Sequence, residues 1–159
     1  MSQVMNITAL EIAQRFVGLK EVKGTTANPA ILAMLKLDSD WPADDEVPWC
    51  SAFVNYIAWL LHLPRSKSLR ARSWLDVGVP VLLDRAQPGF DIVVLNRAGG
   101  SPDVNERNGP GHVGFFLNAS MSVPDGQTYI TILGGNQGDM VSIQKYKVDD
   151  LLSVQRLLV

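Results

Sequence analysis

The chain of 159 residues holds one cysteine and two histidines, and neither sign of charge prevails. A single cysteine, Cys50, excludes an internal disulfide and any fold stapled by oxidation. With only two histidines beside it, a closed zinc site is not easily made. The formal net charge is -2, so no overall field draws nucleic acid or an anionic membrane. No apolar run approaches the roughly 18 residues of a membrane span, and membrane insertion is not expected. The opening MSQVMNITALEIAQRF has no charged stretch followed by a long apolar one, so it does not read as a secretory signal. Synthesis in the cytoplasm is expected, and action elsewhere would need release by other means. Repeats and low-complexity tracts are also missing.

What remains is an ordinary globular composition, 47% apolar and 19% charged. A single domain over residues 1–159 is expected, long enough to bury roughly two-thirds of its unfolded surface. The arginine and lysine cluster at Arg65, Lys67, Arg70 and Arg72 reads as a solvated face.

Helical signals come first. Thr8 and Glu11 form a capping box before Ile12 and Phe16, and Asn28 with Pro29 starts a second helix. A third helix is expected from about Cys50 to His62, apolar nearly all round and so central to a core. SLRARSWLDVG reads as a short fourth helix ending at Gly78. Beyond it the period changes to strands in FDIVVLN, GHVGFFLNA, TYITILGG and MVSIQKYKV, with SVQRLLV as a possible last strand. Helices followed by antiparallel strands make an α+β fold. The irregular stretch Arg97 to Gly111 reads as a long hairpin connection of the kind that often carries function.

A thiol at a helix start is favoured as thiolate, and a nearby imidazolium favours it further. His62 lies at the far end of the Cys50 helix, roughly 18 Å away at 1.5 Å per residue, and reads as a C-terminal helix residue set against the helix dipole. His112 opens a strand between glycines and is the better partner, although alone it could be structural. A histidine that accepts and returns a proton needs a third group to set its tautomer. Asn136, which follows two glycines on the strand after the histidine strand, could supply one; GGNQGD is equally ordinary turn chemistry, and spacing does not choose between them.

The order of these blocks resembles the papain-like cell-wall peptidases, specifically the CHAP amidohydrolase/peptidase group and the NlpC-type endopeptidases. A narrower resemblance, to a bacterial and phage subfamily, rests on NPAI (Asn28 to Ile31), PWCSAFVN (Pro48 to Asn55), SLRARSW (Ser68 to Trp74), GHVG (Gly111 to Gly114) and LGGNQ (Leu133 to Gln137). It spans about residues 8 to 158. The resemblance implies a papain-like fold, with N-terminal helices packed on a mainly antiparallel sheet of about five or six strands. It implies a thiol hydrolase acting on peptidoglycan, at a stem-peptide amide or the sugar-peptide link. Cys50 would be the nucleophile, His112 the base and acid, and Asn136 the orienter, with Gln137 the poorer candidate. The backbone N–H of Cys50 would help to hold the oxyanion. Trp49, Glu46, Gln137 and Trp74 are candidate substrate contacts.

Two departures stand out. Many members carry glutamate where this chain has Gly134, and Phe90 interrupts the usual Gly-Asp before the first long strand. No cofactor is expected. Asp38, Asp40, Asp44 and Asp45 could offer oxygen ligands to calcium, but they lack EF-hand spacing, and a solvated acidic rim is the better reading. Glu21 resembles a recurrent glutamate with no role assigned by spacing. The expected context is a monomeric phage endolysin. Alternatives are a secreted, type VI-like effector of the same chemistry, a non-catalytic wall-binding module, and a cytosolic thiol acyltransferase or deconjugating protease.

Overall fold

The computed structural model describes residues 6–23, 27–39 and 48–158. Three short α-helices precede the sheet: α1 (Ala9–Gln14), α2 (Pro29–Leu35) and α3 (Cys50–Leu60). The Thr8–Glu11 capping box closes reciprocally, and the Asn28 side chain accepts from Ala30 N–H ahead of Pro29. Both starts follow from side chains that satisfy the open amides of a first turn.

Helix α3 buries Cys50 through Asn55, together with Ile57 and Ala58, but leaves Trp59 and Leu60 part exposed. It ends before His62. That residue takes a left-handed backbone (φ 56°), while its N–H bonds Trp59 and the N–H of Leu63 bonds Ala58. This is a Schellman stop with histidine where glycine is usual, so His62 sits in the turn beyond the helix rather than in its last turn. The expected fourth helix is a 3-10 segment, Ala71–Asp76, with no side-chain cap.

Six strands follow: β1 (Val79–Val81), β2 (Asp91–Asn96), β3 (Gly111–Met121), β4 (Thr128–Gly134), β5 (Ser142–Lys147) and β6 (Leu151–Arg156). They form one antiparallel sheet in the order β1-β6-β2-β3-β4-β5. The helices cover one face, where Phe53, Ile57 and Trp74 meet Ile92, Val94, Val113, Phe115 and Leu133. Val93, Leu95, Phe116, Ile130, Ile132 and Val154 pack on the other face, joined by Leu83 and Val148. β2 is apolar on both faces, which is why its sequence runs Ile-Val-Val-Leu without alternation. Asp91 at its start is buried and held by two hydrogen bonds from Arg156, at 2.7 and 2.8 Å.

Two arrangements set up the site. Cys50 is the first residue of α3, and α3 packs against β3, which carries His112 near its start. The segment after α1 is tied to the β4–β5 turn: Gly18 N–H bonds Val141, Val141 N–H bonds Leu19, and Glu21 N–H bonds Asp139.

Candidate active site

Cys50 and His112, 62 positions apart in sequence, meet where the start of α3 faces the start of β3. The His112 imidazole and the backbone N–H of Val113 both act on the Cys50 thiol and favour its ionised form. Burial pushes the thiol up and is the largest single influence. The hydrogen bond and charge of His112, the Val113 N–H and the charge of Arg97 together outweigh it, and the thiol is held below its ordinary value. Both side chains are almost covered, with Cys50 3% and His112 2% exposed.

The group that orients His112 is Gln137, not Asn136. His112 Nε2 lies 2.9 Å from Gln137 Oε1, and Gln137 Nε2 donates to the Ser142 carbonyl at 2.6 Å. That second bond fixes which end of the amide faces the ring. An amide oxygen can only accept, so His112 Nε2 must carry the proton. Nδ1 is then the bare nitrogen, buried and without a hydrogen-bond partner among the described residues, and available as a base. The tautomer that can take a proton from sulfur is thus set by a single side-chain amide.

Tyr146 completes the arrangement. Its ring lies over the imidazole, with centroids 5.4 Å apart and planes tilted by 33°, and its hydroxyl donates to Gln137 Oε1 at 3.0 Å. Its own phenol is pushed up to about 12, chiefly by burial, so it remains a donor at any working pH.

Asn136 instead occupies the left-handed turn position (φ 58°), half-buried, with no side-chain hydrogen bond among the described residues. Asparagine tolerates that conformation better than most residues. The turn it makes rotates Gln137 inward, where Gln137 N–H bonds Met140 and Ser142 Oγ donates back to the Gln137 carbonyl. The departure at Gly134 also finds its reason. A Cβ there would sit 2.9 Å from Gln137 Oε1 and 3.4 Å from His112 Nε2, inside the orienting bond.

Other expected contacts fall elsewhere. Trp49 is fully buried and donates through its indole N–H to Glu21 at 2.6 Å, which gives Glu21 a role that spacing did not. Trp74 is fully buried and donates to Ser51 Oγ at 2.9 Å. Both tryptophans are therefore core supports of the α3 start, and neither is open to substrate. Gln137 belongs to the histidine rather than to a binding wall. Glu46, Asp40, Asp44 and Asp45 lie outside the described residues. Asp38 pairs with Arg65 at 2.8 Å, and no group of three metal-ligating side chains occurs among the described residues. A cavity of about 530 Å³ lies between α2, α3 and the 67–70 segment. Met34, Leu35, Ala52, Asn55 and Leu69 are on its wall, and Cys50 is not.

Sequence reasoning missed Tyr146 and Arg97. Tyr146 could have been found only through the β4–β5 register, which pairs it with Ile130 on the same sheet face as His112.

No protein-family model matches the chain, and no curated protein matches it in sequence. Among solved structures, NlpC1 from Trichomonas vaginalis superposes with a TM-score of 0.55 over 98% of this chain at 15% identity. The chain shares the α+β, papain-like fold of NlpC1. It spans 46% of the length of that protein, and at this identity the likeness concerns the fold alone.

Proposed function

We propose that the protein is a cysteine hydrolase that cleaves an amide of bacterial peptidoglycan through Cys50, His112 and Gln137. The observation that carries this reading is the directed proton path: Gln137 Oε1 fixes the proton on His112 Nε2 and leaves Nδ1 bare beside a thiol of lowered pKa. Such a path serves nucleophilic acyl transfer.

In that reaction Nδ1 takes the sulfhydryl proton, and the thiolate adds to the amide carbonyl carbon. The oxyanion is met by the backbone N–H of Cys50, which, as the first residue of α3, has no partner within the helix. The imidazolium returns its proton to the departing amine, and a thioester forms. Water then loses a proton to Nδ1, adds to the thioester, and releases the acid as the thiol is restored. Oε1 of Gln137 and the hydroxyl of Tyr146 hold the ring in place through both halves.

The choice of cell wall as substrate is supported by the fold shared with NlpC1 and by the PWCSAFVN, GHVG and LGGNQ blocks. Release from the cytoplasm by a phage lysis system is the delivery route proposed with it. Purified sacculi incubated with the protein should release amino groups, and the masses of the fragments identify the bond cut. Cys50→Ala should lower that release by about a thousandfold or more; undiminished release would remove Cys50 from the reaction. The 3% exposure of Cys50 favours a second reading, a wall-binding module without turnover. That reading requires sedimentation with sacculi and no new amino groups.

A further inference from the structure

The long connection between β2 and β3 is organised around one buried cation. Arg72 is fully buried and uses all five guanidinium N–H donors. Nε donates to the Pro110 carbonyl at 3.0 Å, Nη1 to the carbonyls of Asp103 and Glu106 at 3.2 Å each, and Nη2 to Asn96 Oδ1 at 2.7 Å and the Ser101 carbonyl at 2.6 Å. None of these acceptors is a carboxylate. A charge buried against neutral dipoles is costly to place, and what it secures is the path of residues 96–110.

Arg97 sits inside that clamp. The residue before it, Asn96, is held by Arg72 and donates to the Gly100 carbonyl at 3.1 Å, while Gly100 N–H bonds the Arg97 carbonyl at 2.8 Å. Cross-strand register pairs Leu95 with His112 and Asn96 with Gly111. Arg97 therefore follows at the end of the sheet where His112 sits, two residues beyond the partner of that histidine. Its side chain is exposed and makes no hydrogen bond or ion pair with any described residue. Its charge reaches both the Cys50 sulfur and the Tyr146 hydroxyl.

We propose that Arg97, fixed at the mouth of the site by the Arg72 clamp, recognises a free carboxylate of the substrate next to the amide that Cys50 attacks. This deepens the hydrolase reading and rests on it. A guanidinium carried on a fixed stretch of backbone offers a carboxylate two parallel N–H donors, a pairing a neutral amide cannot reproduce. Wall stem peptides carry such carboxylates at the chain end and on the side group of a diamino acid, and the chemistry of recognition is the same for both.

Three synthetic stem peptides test the proposal on the full chain: one unmodified, one amidated at the chain end, one amidated on the side group. The native protein should cleave the unmodified peptide about tenfold to a hundredfold better in kcat/KM than one of the amidated pair, and the poorer one identifies which carboxylate is bound. Arg97→Ala should erase that preference, and Arg97→Lys should keep part of it. A second measurement needs no hydrolysis: the ratio of Cys50 alkylation rates with anionic iodoacetate and neutral iodoacetamide. A change in thiol reactivity affects both reagents and cancels, so a lower ratio in Arg97→Ala reports anion recognition. If peptides are cleaved but neither the preference nor the ratio responds to Arg97→Ala, the carboxylate site is overturned and the hydrolase reading stands. If no peptide is cleaved while the ratio falls, the hydrolase reading fails and the carboxylate site stands.

Discussion

At the scale of single residues, the third member of the site shows where a sequence stops being readable. Cys50 and His112 could be chosen from the sequence because only one thiol and two imidazoles exist, and one imidazole lies a helix length away. Asn136 and Gln137 are adjacent carboxamides in one turn, and which of them faces inward depends on the left-handed φ at Asn136. No pattern of residue types encodes that rotation. The assignment predicts how Cys50 alkylation depends on pH. A thiol whose pKa is lowered reacts as thiolate below the usual pH of about 8.5, and the rate is lost as pH falls through the folded pKa. His112→Ala removes the two largest lowering influences and leaves burial, which raises, so the half-maximal rate should move to higher pH. Gln137→Ala, which frees the ring and strips the acceptor from Nε2, should move it in the same direction by less. Asn136→Ala should leave the midpoint where it is while lowering stability by about 1 kcal/mol for the strained backbone. An Asn136→Ala shift as large as that of His112→Ala would return the orienting role to Asn136.

At the scale of elements, helices α1 to α3 and strands β2 to β6 were visible because periodicity and caps repeat over several residues. Strand β1 was not. It has three residues with Pro80 in the middle, and lies at the sheet edge where a missing N–H is tolerated. The tryptophans were misread for a related reason: aromatic side chains beside a nucleophile suit either a binding wall or a core, and only burial decides. Trp49 makes the junction between α3 and the end of β4 tight. A Cβ on Gly135 would lie 2.7 Å from Trp49 Cζ3 and 2.9 Å from Phe53 Cβ. Gly135→Ala should therefore lower unfolding stability by about 1–3 kcal/mol in urea titration, and should weaken activity by displacing the turn that holds Gln137. An unchanged urea midpoint would show that the junction has room to give.

At the scale of the whole molecule, the α+β class followed from the order of patterns, and the strand order did not. The insertion of β6 between β1 and β2 depends on pairings 56 to 77 residues apart in sequence, and local patterning carries no record of them. The consequence for stability is direct. Without residues 148–159, β2 keeps only β3 as a partner, and an apolar strand is left with an open edge in the middle of the sheet. A chain shortened in this way should be recovered as aggregate, and a soluble, cooperatively folding product would show that β6 is dispensable. Translation order and assembly order therefore run against each other. A ribosome has already delivered Cys50, His112, Gln137 and Tyr146 when the strand that seats between β1 and β2 is still to be made. The growing chain should therefore pass through an interval in which every reactive group is present before the sheet that aligns them is complete, and its sulfur is expected to behave as an ordinary thiol until β6 is in place.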